Sequence, residues 1–452
     1  MDRQLEYLIE GVEQNRQVIL DTERYLWKNP ESGYREWKTN RYLADILTGL
    51  GYELTFAGDI PGFYTVIDTG RPGPTVALFA EMDSLINELH PEHDPETNAV
   101  HSCGHNCQSA AMIGLAHALK RPNALDGMSG KIMLCAVPAE ELIENNYRQE
   151  LVDRGIIKYT TGKPEFLRRG YLDDVDIGFI FHAGAASETT LGLVKGYNGS
   201  TSKTVIFKGV SAHAAFTDMM PGVNALYAAS QAMSACNALR ENFANGVKWH
   251  PILTEGGGAV NAIPDKVVME SMVRGSSLAD ISKANDAMNR AIAGSAASIG
   301  ATAHVNDQLG YAPMECDQNL HKVILEAFSD VCPDAPKSNM PIYAGGSGDI
   351  AFLSEVMSAT QISIAGGCVG TMHGTDFFVT DPELACILPA KCECAFMWYL
   401  LKDDAKAAKE IKAAKDATKK SKEDCMKEWD SFSQDRELVL IDTEAKRIEI
   451  NY

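Results

Sequence analysis

The chain has 452 residues, 45% of them hydrophobic and 23% charged, which suits a globular protein of two or three domains. That composition excludes a disordered, collagen-like or disulfide-stapled chain. Its net charge of −20, from 41 basic and 61 acidic residues, repels phosphate and argues against nucleic-acid and anionic-membrane partners.

Taken in chain order, Leu5, Leu8, Ile9 and Val12 share a helical face that Val18, Ile19 and Tyr25 continue. A loop with Pro30, Ser32 and Gly33 precedes a second helix over 38–50, stopped by Gly51. Buried strands are predicted at 75–80 (TVALFA), 131–137 (KIMLCAV) and 176–181 (DIGFIF), with a helix at 106–120. A polar, mostly helical insertion occupies 142–170. The middle of the chain reads strand 204–207, helix 223–239, strands 247–253 and 266–272, helix 278–299 and strand 302–306. That βαββαβ order is a ferredoxin-like unit inserted into the first domain. The α/β pattern resumes with strand 361–364 and helix 384–401. An Ala- and Lys-rich stretch at 405–422 reads as a solvated helix, and a strand-like tail spans 438–450.

The expected fold is therefore α/β, with a mainly parallel-sheet catalytic domain at 1–195 and 311–402. A dimerisation or lid domain covers 196–310, and a helical extension and tail cover 403–452. Met1 to Glu6 lacks a basic region followed by an apolar stretch, and no apolar run reaches the roughly 18–20 residues that span a bilayer. With 11 scattered cysteines, an odd count, this predicts a cytoplasmic protein with reduced thiols.

Chemistry-bearing residues gather at the expected strand ends. Glu81-Met82-Asp83 follows the first buried strand, and His101-Ser102-Cys103-Gly104-His105-Asn106 precedes the helix. Pro138-Ala139-Glu140-Glu141, His182 and Met372-His373-Gly374-Thr375-Asp376 close the other strands. In open α/β sheets, ligands bind outside the carboxyl ends of the strands. Singly, each histidine is more often structural and each Glu pair more often solvated. Together, Cys103, His105, Glu141, His182 and His373 offer thiolate, imidazole and carboxylate ligands for divalent ions. The helix N-terminus at Asn106 is expected to favour the Cys103 thiolate. One of Glu140 and Glu141 can bind metal while the other moves a proton. His90, His93 and His101 read as surface residues or supports for the ligands, and Cys107 as packing. His117, His250, His304 and His321 carry no expected role.

These segments, with Gly209-Val210-Ser211-Ala212-His213-Ala214, resemble signatures of the zinc-aminopeptidase-like amidohydrolases, which include aminoacylases, hippurate hydrolases and indole-acetyl-amino-acid hydrolases. The Cys-Gly-His-Asn form resembles the p-aminobenzoyl-glutamate hydrolase branch most, and the resemblance covers roughly residues 1–402. It implies two divalent metal ions, zinc or manganese, held by Cys103, His105, Glu141, His182 and His373, with Cys103 bridging. It implies Glu140 as general base, Asp83 orienting a ligating His, and His213 serving the substrate or oxyanion. Asn261 and Arg274 are candidates for gripping a substrate carboxylate. Departures from the pattern are Glu81, where relatives often carry Asp, the acidic loop from His90, the 142–170 insertion and the tail after Asp403. These bear on the substrate and not on metal hydrolysis.

The expected reaction is hydrolysis of small N-acyl or N-aroyl amino acids by a metal-activated water, in a homodimer. A dipeptidase or aminopeptidase of the same family is the nearest alternative. A cysteine hydrolase using Cys103 with His105, and a non-catalytic metal-binding homologue, are the others.

Overall fold

The computed structural model describes residues 2–185, 187–216, 218–442, 445 and 447–452. They divide into two compact units. The first takes in residues up to 195 together with 315–342 and 348–421, and the second takes in 196–314, 343–347 and 422–452.

The first unit is built on a ten-stranded sheet in which six neighbouring strands lie in the order Thr55–Phe56, Phe63–Asp68, Lys131–Val137, Thr75–Glu81, Ile177–Ala185 and Ser358–Val369. The last four are mutually parallel, so their carboxyl ends share one edge. Thr75–Glu81 is buried at every position, as an unbroken apolar run in a covered parallel sheet must be. Helix His105–Leu119 is buried all round except at His117. It is clasped by helices Arg16–Lys28 and Leu388–Asp416, which explains why its sequence shows no polar face.

In the first unit, Ile177–Ala185 and Ser358–Val369 run beyond the strands expected at 176–181 and 361–364. Ile177–Ala185 includes His182, which pairs with Ser363 instead of following the strand. The small residues Ala183, Gly184 and Ala185 let the parallel pairing continue toward Cys368. The Ala- and Lys-rich stretch also differs from expectation. The chain leaves helical geometry at Lys402, passes through positive φ at Asp403, Asp404 and Ala405, then turns helical again as far as Asp416. Ala405, Ala408 and Ile411, spaced three apart, are buried. Lys412 pairs with Asp176 at 2.7 Å and Lys420 with Glu355 at 3.6 Å. The stretch is thus an amphipathic helix docked on the first unit. Among the described residues, helix Glu383–Asp416 alone is long and apolar enough to cross a membrane by length and composition. Its most apolar window is 83% buried inside the protein, as in a core helix.

The second unit is an antiparallel sheet in the order Lys248–Glu255, Lys266–Gly275, Gly199–Lys208, Thr302–Tyr311, Gln434–Asp442 and Arg447–Ile450. Helices Ala225–Ala238 and Leu278–Ile299 pack against it through Ala229, Ala232, Ile281, Met288 and Ile292, around Val205, Phe207 and Met269. The tail is not one strand. It forms two, and the first adds to Thr302–Tyr311 from Asp307–Gln434 to Ala303–Val439. Leu438 and Val439 are buried there, so the tail completes the core of this unit.

Candidate metal centre

The site grows from a tight turn. Gly104 has φ +86° and caps helix His105–Leu119, and a Cβ there would sit 3.3 Å from Cβ of Ala183. Only glycine takes that conformation without strain, and it lets Cys103 and His105 reach the same space. Nδ1 of His105 lies 3.0 Å from the Asp83 carbonyl oxygen and 3.1 Å from Asp83 Oδ1. Nδ1 is therefore placed to donate, which leaves Nε2 as the candidate ligand atom. His182 is tied the same way, with Nδ1 2.8 Å from the Ala183 carbonyl oxygen and Nε2 3.3 Å from Cys103 Sγ.

Asp83 also accepts the Glu141 amide at 2.9 Å. Ala139, in front of the Glu pair, has φ +55°. Such strain clusters at functional sites. The two glutamates part there: Glu141 Oε1 lies 3.1 Å from His373 Nε2, whereas Glu140 Oε2 lies 4.0 Å from His105 Nε2. His373 has φ +67°, and its side chain is 50% exposed. Its amide donates to the Ser102 carbonyl at 2.9 Å, and its carbonyl accepts from Asn87 Nδ2 at 3.2 Å. Gly370 is required in this loop, because a Cβ would lie 1.9 Å from the Asp376 carbonyl oxygen.

Three sets of ligand atoms each lie within 4.8 Å of one another: Cys103, His105, His182; Cys103, Glu141, His373; and Glu81, His105, Glu140. The first two share the Cys103 sulfur, so the residues fit a pair of ions with one bridging thiolate. Nε2 of His105 and Oε1 of Glu141 are buried without a hydrogen bond, as ligand atoms facing a cation would be.

Electrostatics follow from burial. Burial pushes Glu140 well above the ordinary carboxylate range, and the neighbouring Glu81 and Glu141 push the same way. Burial also pushes the Cys103 thiol well up, with His105 opposing and Glu141 adding. Burial thus runs against the lowering expected from the helix N-terminus. Glu81, which ends its strand, accepts Gln108 Nε2 at 2.9 Å and Lys163 Nζ at 2.6 Å. Lys163 also bonds Asp349. Lys163 and Asp349 escaped sequence reasoning because neither sits in a patterned segment. Glu81 carried one signal, its place two residues before Asp83.

The expected supports are placed as follows. His90 is fully buried rather than on the surface, with Nε2 2.9 Å from the Phe377 carbonyl oxygen and its ring against Trp27 and Phe378. The acidic loop around it is anchored by Trp27 Nε1, which donates to Glu92 at 2.8 Å. His101 is buried and held neutral, its pKa pushed down to about 3 by burial, with His105 adding. Cys107 packs in the core of the first unit. His213, Asn261 and Arg274 belong to the second unit. His213 and Asn261 are exposed neighbours: His213 bridges to Ala262, and the Ala214 amide donates to the Asn261 carbonyl at 3.0 Å. Arg274 lies at the far end of strand Lys266–Gly275 and donates to Gly345 and Ser347. The second unit alone does not bring Arg274 to the His213–Asn261 end.

The fold matches solved structures over most of its length. An aminohydrolase of unassigned function from methicillin-resistant Staphylococcus aureus aligns with a TM-score of 0.73 at 21% identity, covering 88% of this chain and 100% of that one. A dinuclear metal binding peptidase of the M20 family from Bacillus subtilis aligns with a TM-score of 0.65 at 20% identity, covering 86% of this chain and 99% of that one. Among curated relatives, indole-3-acetyl-aspartic acid hydrolase of Enterobacter agglomerans is 27% identical over 54% of this chain and 63% of its own length. One of the p-aminobenzoyl-glutamate hydrolase subunits of Escherichia coli is 24% identical over 64% of this chain and 57% of its own. The chain thus spans less than two thirds of the length of these relatives. The sequence profile of peptidase family M20/M25/M40 matches residues 77–388, the span that holds every candidate ligand described above. By that match the chain belongs to peptidase family M20/M25/M40.

Proposed function

We propose that the protein hydrolyses the amide bond of small N-acyl or N-aroyl amino acids that keep a free carboxylate. The observation that carries this is the pair of three-ligand sets joined at Cys103, with the buried Glu140 carboxylate beside them. Two divalent ions, zinc or manganese, held by Cys103, His105 and His182 and by Cys103, Glu141 and His373, would polarise the carbonyl and activate water. Asp83 orients His105 and the Glu141 backbone together. Glu140 takes the proton of the attacking water and returns it to the leaving amine as the C–N bond breaks. In this reading His213 stabilises the oxyanion, and Asn261 and Arg274, which one copy's second unit keeps at opposite ends of a strand, bind the carboxylate from different copies of the homodimer. The hydrolases of indole-acetyl-aspartate and p-aminobenzoyl-glutamate named above support a substrate of that class.

The reading extends to a homodimer joined through the second unit, with no nucleic-acid or membrane partner. All eleven cysteines are free thiols, which supports a cytoplasmic setting. A hydrolysis screen with metal-reconstituted protein tests the proposal. Release of the amino acid from N-acyl or N-aroyl substrates, lost on chelation and restored by metal, is the expected result. Turnover confined to free-amine dipeptides would assign a dipeptidase instead, and activity indifferent to chelator would overturn the metal mechanism.

A further inference from the structure

Residues 142–170 fold as helices Asn145–Asp153 and Gly162–Arg168 and carry two cations into the interior of the first unit. Arg148 and Lys163 are both fully buried. Arg148 donates to the Thr160 carbonyl at 2.7 Å, and its charge is felt by Glu36 and Asp83. Lys163 is fixed more tightly. Its amide donates to Asp349 Oδ2 at 2.9 Å, and its ammonium bonds Oδ1 of the same carboxylate. The ammonium also donates to Glu81 Oε1 at 2.6 Å. The other oxygen of Glu81 accepts Gln108 Nε2 and lies 3.2 Å from His105 Nε2.

We propose that Lys163 is a positioning residue of the metal centre, acting through Glu81, whose carboxylate it holds in place beside Nε2 of His105. The inference rests on reading the site as a metal centre. Its logic is geometric. Lys163 bonds two buried carboxylates at once, Glu81 and Asp349. An ion pair with no access to water is a poor device for stability alone, since apolar residues of similar volume fill the same space at least as well. Here the lysine does what an apolar residue cannot: it engages one oxygen of Glu81 and leaves the other facing the ligand atom of His105. The reach and the charge that a bound ion meets on that side are then set by Lys163.

A double-mutant cycle on the cobalt-loaded full chain tests this, with Lys163→Met, Glu81→Gln and their combination. Lys163→Met is expected to alter the visible cobalt absorption and to lower kcat about 10–100-fold, with KM changed less than about threefold. In the Glu81→Gln background, Lys163→Met should shift the spectrum no further and lower kcat by less than about threefold. Effects that persist undiminished in that background, or no effect of Lys163→Met on kcat and spectrum, overturn the proposal. Should Lys163→Met not fold, Asp349→Asn takes its place in both backgrounds, with the same results expected and the same results overturning the proposal. If the wild type hydrolyses no amide offered, the proposed activity fails, and the cobalt spectra still decide the role of Lys163.

Discussion

Asp83 shows how much of the centre hangs on single side chains. One oxygen faces His105 Nδ1 and the other accepts the Glu141 amide, so one carboxylate orients both proposed metal sets. Asp83→Ala should weaken metal binding about 10–100-fold, measured by competition with a chelator of known affinity. Cys103→Ser should weaken it for both ions, because both sets use that sulfur. Unchanged stoichiometry and affinity in Cys103→Ser would contradict the shared-ligand geometry. Glu140→Gln should behave differently, lowering kcat about 10²–10⁴-fold while both ions remain bound. What the sequence shows at this scale divides by kind. Cys103, His105, Glu140, Glu141 and His373 sit in short motifs whose spacing reports a turn or strand end. Lys163 and Gln108 reach the same centre from separate helices, and Asp349 reaches it from a turn. Only the order of strands in the sheet brings them together, so no local pattern announces them.

At the scale of elements, two buried charge clusters hold separate pieces in place. In the first unit, Glu165 accepts Arg168 Nε at 2.9 Å, Arg169 Nε at 2.7 Å and the amides of Lys158 and Tyr159 at 3.0 and 3.2 Å. It thereby ties the loop between the two inserted helices to the second of them. Burial pushes its pKa up, but the two arginines and two amides outweigh burial and hold it below the ordinary range. Its folded pKa is depressed, so its stabilisation is complete above the unfolded value of about 4.3 and is lost as pH falls through the lower folded value. Glu165→Gln should cost about 3 kcal/mol near neutral pH and flatten the acid limb of stability, read by denaturant titrations from about pH 3 to 7. In the second unit, Lys203 and Asp307 form a fully buried pair braced by Asn285 and Asn289. Lys203→Met should destabilise this unit by about 3–5 kcal/mol, and adding Asp307→Leu should restore most of it. The alternating strands of this unit were plain in its sequence. The tail read as a single strand because nothing in its alternation marks the reversal between Asp442 and Arg447.

At the scale of the molecule, the second unit leaves strand Lys248–Glu255 paired on one side only among the described residues. At the opposite side the tail strands cover Thr302–Tyr311, which would otherwise be bare. An open strand edge is a template for pairing with another chain. Lys248–Glu255 exposes Ile252 and Leu253, and helix Ala225–Ala238 of the same unit exposes Tyr227. The proposed homodimer is expected to use this edge. The net charge of −20 on each copy opposes association, so backbone pairing and apolar burial must carry it. Screening then sets the direction of the salt effect: the dimer should tighten as ionic strength rises from about 0.01 to 0.15 M. Ile252→Glu with Leu253→Lys should give a monomer by light scattering, with the unfolding midpoint of dilute protein unchanged. Ile448→Lys, on the far edge strand, should leave the dimer mass intact. A monomeric wild type at physiological salt, or a dimer broken by Ile448→Lys and not by the first pair, would place the interface elsewhere.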